Sequence, residues 1–125
     1  MLPIVITSAF GSASAMFGAA AVYGAVTKRS LAGMGGYLFM ALIGLFVAML
    51  LNLFFGSGPL SFLIAVIGVV LFTALTAYDV QRIQAGDLVA QTGSVEKAAV
   101  MGALRLYLDF INLFLFMLRL LGGRG

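Results

Sequence analysis

The apolar stretch from Gly102 to Gly122, GALRLYLDFINLFLFMLRLLG, decides the fold of this 125-residue chain. Its length of about 20 residues is what an α-helix needs to cross a bilayer core of roughly 30 Å. The stretch also contains Arg105, Asp109 and Asn112. A carboxylate near the middle of a membrane helix costs at least about 2.5–3.5 kcal/mol, so it is expected to face a partner or a water-filled cavity. The sequence therefore predicts a membrane helix that carries a functional acid.

The composition of the whole chain supports this prediction. Hydrophobic residues make up 63% of the chain and charged residues 9%, whereas soluble domains are about 25% charged. We therefore predict an all-α integral membrane protein. The sequence has no Cys and no His, which excludes disulfides, thiolate or imidazole metal sites and histidine-dependent catalysis. No more than two basic residues are adjacent, so we expect no nucleic-acid partner.

Four continuous apolar runs reach the spanning length, and their continuity excludes the alternating pattern of barrel strands. The first run lacks the preceding positive charge of a cleavable secretory signal, so we expect it to be a retained span. Residues 85–97, AGDLVAQTGSVEK, are interpreted as a polar loop with a helix start at Ser94. We predict one transmembrane domain, residues 1–125, with spans at about 4–26, 34–55, 60–84 and 98–121.

Positive charge is distributed unevenly over the two sides of this four-span arrangement, and cytoplasmic loops carry an excess of Lys and Arg. The 27–30 and 82–97 loops are therefore predicted to be cytoplasmic. The basic residues on their side are Lys28, Arg29, Arg82, Lys97 and Arg105, and those on the other side are Arg119 and Arg124.

Small residues recur at three- and four-residue spacing in the first run. Gly11, Ser14, Gly18 and Ala21 form a face of the kind that lets a neighbouring helix approach closely. We predict a helix-packing role for them.

A second acid, Asp79, ends the third apolar run in TALTAYDVQRI. If the third and fourth spans pack antiparallel, Asp79 and Asp109 face each other. Two carboxylates in a poorly hydrated site cannot both ionise at low cost. Such a pair holds a proton, or when ionised offers oxygen ligands to a hard cation such as Ca²⁺. We predict a pH-sensing, ion-binding pair, with Ca²⁺ as the candidate transported ion and no cofactor.

Neighbouring polar residues support a second interpretation. Arg82 follows Asp79 by three residues and Arg105 precedes Asp109 by four, so the alternative is two intrahelical ion pairs. The two acids also match in depth only if the third helix continues past Arg82 or the fourth begins in water. The residues predicted to support the acidic pair are Tyr78, Arg82, Arg105, Tyr107 and Asn112.

Membrane aspartyl proteases provide an enzymatic alternative, because they carry a Tyr-Asp pair and a Gly-x-Gly-Asp motif on successive helices. Tyr78 and Asp79 satisfy the first motif, but Leu106 and Leu108 stand near Asp109 where the second needs glycines. We therefore predict that the protein is not an enzyme. A small-molecule exporter usually has an acid in its first span, and this first span has none.

Three stretches resemble the bacterial branch of the transmembrane Bax inhibitor-1 family: AFGSASAMFGAAAVYGAVTKRSLAGMG, FTALTAYDVQRI and MGALRLYLDFINLFLFMLRLLG. The resemblance covers essentially the whole chain. It implies a bacterial inner-membrane protein built as a bundle of seven helices, whose last two carry an aspartate pair proposed to sense pH for a calcium leak. Asp79 and Asp109 match that pair.

The chain departs from the family pattern in two respects. Members are nearly twice as long, so the chain resembles their last four helices. The other part of the family pattern includes an arginine that locks onto the aspartate pair; that gate is then absent, supplied by another chain, or replaced by Arg105. Ser30 also stands where the family usually has Asp.

These observations predict a pH-sensitive calcium leak channel or exchanger in the bilayer. The alternative is a non-transporting regulator, linked to stress responses and cell-death suppression in the family, that binds another membrane protein such as a membrane-anchored protease. A second copy or a partner membrane protein is expected in either case, because a polar pair that faces lipid is costly.

Overall fold

The computed structural model describes residues 2–56 and 58–122. Within this part, four helices are long and apolar enough to cross a membrane, and no strand is present. They are α1 (Leu2–Val26), α2 (Gly35–Phe55), α3 (Gly58–Gln84) and α5 (Val95–Leu121), with a short helix α4 (Asp87–Thr92) before α5 and a 3₁₀ turn (Ala32–Met34) before α2. The all-α membrane fold is confirmed. Arg124, which enters the charge comparison, lies outside the described residues.

Glycine and proline set the sharp connection between α2 and α3. Gly56 ends α2 in the left-handed conformation, with φ of 63°, and its N–H donates to Asn52 O at 2.7 Å. Pro59 lies in the first turn of α3, where its missing N–H removes no helical hydrogen bond. The two helices therefore turn back on each other within a few residues.

Helix α3 is the centre of the bundle, since it contacts α1, α2 and α5, whereas α1 and α2 do not contact each other. The most deeply buried large side chains are Ile64 and Thr76 of α3 and Leu113 of α5. The hydroxyl of Thr76 donates to Phe72 O at 2.8 Å, so this polar group enters the apolar core with its donor satisfied.

Helix α1 packs through a different face from the predicted one. Its buried residues are Ala9, Ala13, Ala20 and Gly24. Gly11 and Gly18 are exposed, and a Cβ added at either would meet no atom of the described residues within 4 Å, while Ser14 is half-buried. The helix-packing prediction is therefore wrong for the two glycines within this chain, because Gly11 lies about 200° around the helix from Ala9.

The predicted loop over residues 85–97 contains α4, which is a correction. Leu88 is buried, and a Cβ on Gly102 of α5 would lie 3.6 Å from its side chain and 3.1 Å from Ile83 of α3. Burial of Leu88 thus packs this segment against α5.

Ser94 caps α5, because its hydroxyl accepts from Lys97 N at 3.3 Å. Helix α3 continues past Arg82 to Gln84, which meets one of the two conditions for the acids to match in depth.

Gly24→Ala tests the contact between α1 and α3. A Cβ at Gly24 would overlap the backbone of Ala77, and backbone cannot move aside as a flexible side chain can. We expect a loss of about 1–3 kcal/mol in the free energy of unfolding, measured by circular dichroism melting in detergent. Gly18→Ala is the matched control, since it replaces an exposed glycine within the same helix, and it should leave stability unchanged or raise it by up to about 1 kcal/mol. Equal stability of the two variants would contradict this packing.

Candidate functional site: a buried aspartate pair

The two acids singled out from the sequence meet between α3 and α5. Asp79 is 7% exposed and Asp109 is 6% exposed. Their carboxyl groups are close enough to share a side-chain hydrogen bond when one of them carries a proton. No donor in the described part of the chain reaches the buried Oδ2 of Asp109. The antiparallel packing of α3 and α5 thus brings together two carboxyl groups separated by 30 residues in the sequence.

Arg82 does not pair with Asp79. Its Nη1 lies 3.0 Å from Asp87 Oδ2, and its Nη2 donates to Gln81 Oε1 at 3.2 Å. Asp87 opens α4, so this ion pair ties α4 to the end of α3. The predicted intrahelical pair between Arg82 and Asp79 is wrong, because a different acid in the following segment captures the guanidinium.

Arg105 lies one turn before Asp109 on α5 and is close enough to interact with its carboxyl group electrostatically. Across residues 2–56 and 58–122, however, no ion pair joins Arg105 to Asp109. The intrahelical ion-pair interpretation is therefore wrong for this pair too. Arg105 is thus a basic residue that interacts with Asp109 without a direct ion pair.

Gln81 forms a bridge that sequence analysis missed. Its Oε1 accepts from Leu31 N at 2.6 Å, and its Nε2 donates to Arg29 O at 2.8 Å. The connection between α1 and α2 is thereby fastened to α3 two residues beyond Asp79. The sequence offered one signal for this role, the position of Gln81 beside Asp79 in TAYDVQ. Residues two positions apart on a helix point in different directions, so that position did not predict a partner for Gln81.

The remaining predicted supporting residues do not hydrogen-bond to the acids within the part of the chain described. Tyr78 is half-buried, and its hydroxyl lies against Gly35 at the start of α2. Tyr107 is 61% exposed. Asn112 donates from Nδ2 to Leu108 O on its own helix at 2.9 Å. Of these three, only Tyr78 contributes to the packing around the end of α3.

The donor set of the pair limits how it binds a cation. In the described residues, no group of three or more Asp, Glu, His or Cys side chains is placed to hold a metal ion. Two carboxylates provide at most four oxygens, whereas Ca²⁺ takes six to eight. Water or backbone carbonyls would have to complete the shell, so the pair suits transient rather than tight binding.

Comparison with known proteins agrees with this architecture. The family model "Inhibitor of apoptosis-promoting Bax1" matches residues 1–125. The chain is 50% identical over 121 residues to an uncharacterized protein of Borreliella burgdorferi, covering 95% of this chain and 52% of that protein. It is 47% identical over 122 residues to the inner membrane protein YbhL of Escherichia coli, with the same two coverages.

The protein YrjE of Lactococcus lactis is 50% identical over 122 residues, covering 96% of this chain and 51% of that protein. The chain thus spans about half the length of the curated relatives it matches. Because the family model covers every residue of the chain, the resemblance found in the sequence is confirmed: the chain belongs to the Bax inhibitor-1 family of integral membrane proteins.

Proposed function

We propose that the protein mediates a pH-sensitive leak or exchange of Ca²⁺ across the membrane, with Asp79 and Asp109 as the groups that bind either protons or the cation. The observation that carries this proposal is the burial of two facing carboxyl groups between adjacent membrane helices. One of their oxygens, Asp109 Oδ2, has no hydrogen-bond donor in the described part of the chain. Family membership agrees with a role in the membrane.

The chemistry of the pair explains why pH would control it. A buried acceptor left without a partner costs about 1–3 kcal/mol. A proton shared by the two carboxyl groups supplies that partner, and so does a divalent cation held by both ionised groups. The two occupants exclude each other, so a falling pH favours the proton over the cation. The incomplete ligand set also lets the ion leave, which conduction requires.

Arg105 is the residue we assign as the counter-charge of this site. Arg82 is held by Asp87 and Gln81, whereas Arg105 interacts with Asp109 without a direct ion pair. A movement of α3 against α5 would change the distance of Arg105 from Asp79, while its distance from Asp109 on the same helix would stay fixed. In this chain Arg105 would replace the arginine that, by the family resemblance, locks onto the aspartate pair.

We further propose a bacterial inner-membrane location, with residues 27–30 and 82–97 in the cytoplasm. The hydrogen bonds of Gln81 hold Arg29 and Leu31 at the same end of the bundle as the end of α3. The basic residues of both connections therefore share one side, and the positive-inside rule directs that side to the cytoplasm. The relative in Escherichia coli is named an inner membrane protein.

Calcium flux into proteoliposomes, measured above and below neutral pH, tests the proposed transport. We expect a pH-dependent flux in the unchanged protein and a flux without pH dependence, or none, in the double variant Asp79→Asn with Asp109→Asn. Glu96→Gln is the control, because Glu96 is an exposed acid in the first turn of α5 and its loss should leave the profile unchanged. A pH profile that survives the double substitution would overturn the proposal.

A second candidate function is regulation of another membrane protein without transport. Gly11 and Gly18 form an exposed small-residue face on α1, and no atom of residues 2–56 or 58–122 lies near a Cβ added at either. In a bilayer such a face lets a second helix approach closely. A membrane-anchored protease or a second copy of the chain would then occupy it.

The two functions respond to different substitutions. If regulation is the activity, Gly18→Leu should reduce co-purification of a cross-linked membrane-anchored protease at least tenfold, because the added side chain separates the helices. Gly44→Leu on α2 is the matched control, since Gly44 is also exposed and a Cβ added there would meet no atom within 4 Å in the part of the chain that the structure describes. Loss of the protease in the aspartate variants, with retention in Gly18→Leu, would contradict this assignment.

A further inference from the structure

A recess remains where two consecutive helices fail to meet. The helices α1 and α2 are joined by a connection of eight residues, 27–34, yet they do not contact each other, because both pack on α3. The recess between α1, α3 and this connection has a volume of about 710 Å³. It extends along α3 from Val70 to Ala77, which is about 10 Å of helix.

The walls of the recess are almost entirely apolar. Helix α1 contributes Met16, Ala19 and Tyr23, and α3 contributes Val70 and Ala74. Both helices have the length and hydropathy of membrane spans, so the recess opens at the depth of the lipid chains. Its shape and composition suit a flexible hydrocarbon.

One end of the recess is basic. Arg29 and Ser30 line it there, just beyond Val26, the last residue of α1. Among the described contacts, the Arg29 side chain makes no ion pair or hydrogen bond. Its backbone is fixed instead, because Gln81 binds Arg29 O and Leu31 N. The positive end is therefore held in place by α3 while its charge is left for an external anion.

We propose that this recess is a binding site for an anionic phospholipid, with an acyl chain along α1 and α3 and the phosphate at Arg29. The apolar part of the recess would hold the acyl chain, and the unpaired guanidinium of Arg29 at its end would bind the negative phosphate. Basic pockets between membrane helices near the interface are known to take anionic head groups. The proposal does not rest on the proposed calcium transport.

Binding of such a lipid would stabilise the contact between α1 and α3. The lipid would fill the space between these helices, and its head group would engage the connection that Gln81 fastens to α3. An anionic lipid should therefore raise the melting temperature of the protein. A zwitterionic lipid with the same acyl chains should do so much less.

The test uses the full chain in mild detergent, titrated with phosphatidylglycerol or with phosphatidylcholine of identical acyl chains. Native mass spectrometry measures the bound lipid, and circular dichroism measures the melting temperature. Arg29→Gln should weaken phosphatidylglycerol binding about fivefold, the effect of one basic residue near an anionic head group. Ala19→Phe should abolish binding, because it fills the recess from an exposed position.

Two controls separate a site from general attraction. Lys28→Gln removes an equal charge that does not line the recess, and Ala103→Phe adds the same ring at an exposed position of α5. Both should bind phosphatidylglycerol like the unchanged protein. Equal losses in Lys28→Gln and Arg29→Gln, equal affinity for both lipids, or a change of oligomeric state without loss of lipid in Ala19→Phe would each overturn the proposal. The last result would assign the recess to a helix of a second copy.

Discussion

The close packing of α3 against α5 is the constraint on which the rest of the structure depends, because it buries two carboxyl groups in a membrane bundle. A charged group at that depth is costly unless it finds a partner. Asp79 and Asp109 face each other, and a proton shared by the two carboxyl groups would give each a partner and leave one charge in place of two. The small residues nearby make this approach feasible: Gly68 lies against the ring of Phe116, and Gly102 lies against Ile83.

The polar layer at the end of α3 follows from the same packing. Because Asp79 faces α5, Gln81 and Arg82 point in other directions from α3, and each has a partner outside this helix. Gln81 takes the backbone between α1 and α2, and Arg82 takes Asp87 at the start of α4. The turn of α3 from Asp79 to Arg82 therefore contacts α5, the connection between α1 and α2, and α4.

Membership of the Bax inhibitor-1 family rests on the full length of this chain, whereas the relatives extend to about twice that length. Much of α2 is exposed, including Phe54 and Leu53, and α2 contacts no other spanning helix than α3 within the described residues. The exposed apolar surface is therefore large. Our proposals therefore give different parts of this surface to different occupants: a second helix at the Gly11 and Gly18 face of α1, and a lipid in the recess.

The sequence alone determined the class of the protein, the number of spans and the identity of the acidic pair. Continuous hydrophobicity over the spanning length reports a helix in lipid regardless of its neighbours. The last residues of the four predicted spans coincide with the helix ends at Val26, Phe55, Gln84 and Leu121. Acids within such runs are conspicuous because they are costly, and the family motifs around them are specific.

Only the tertiary structure decided which residues interact. Helical spacing predicted that Arg82 pairs with Asp79 and Arg105 with Asp109. Arg82 pairs with Asp87 instead, because the chain turns back at α4 and brings this acid within 3.0 Å of the guanidinium. Spacing also offered Gly11 and Gly18 as a packing face, while the buried face runs through Ala9, Ala13 and Ala20. Small residues surround much of α1, so the sequence cannot say which side meets a neighbour. That choice depends on how α1 rotates to fit α3, which is a property of the assembled bundle.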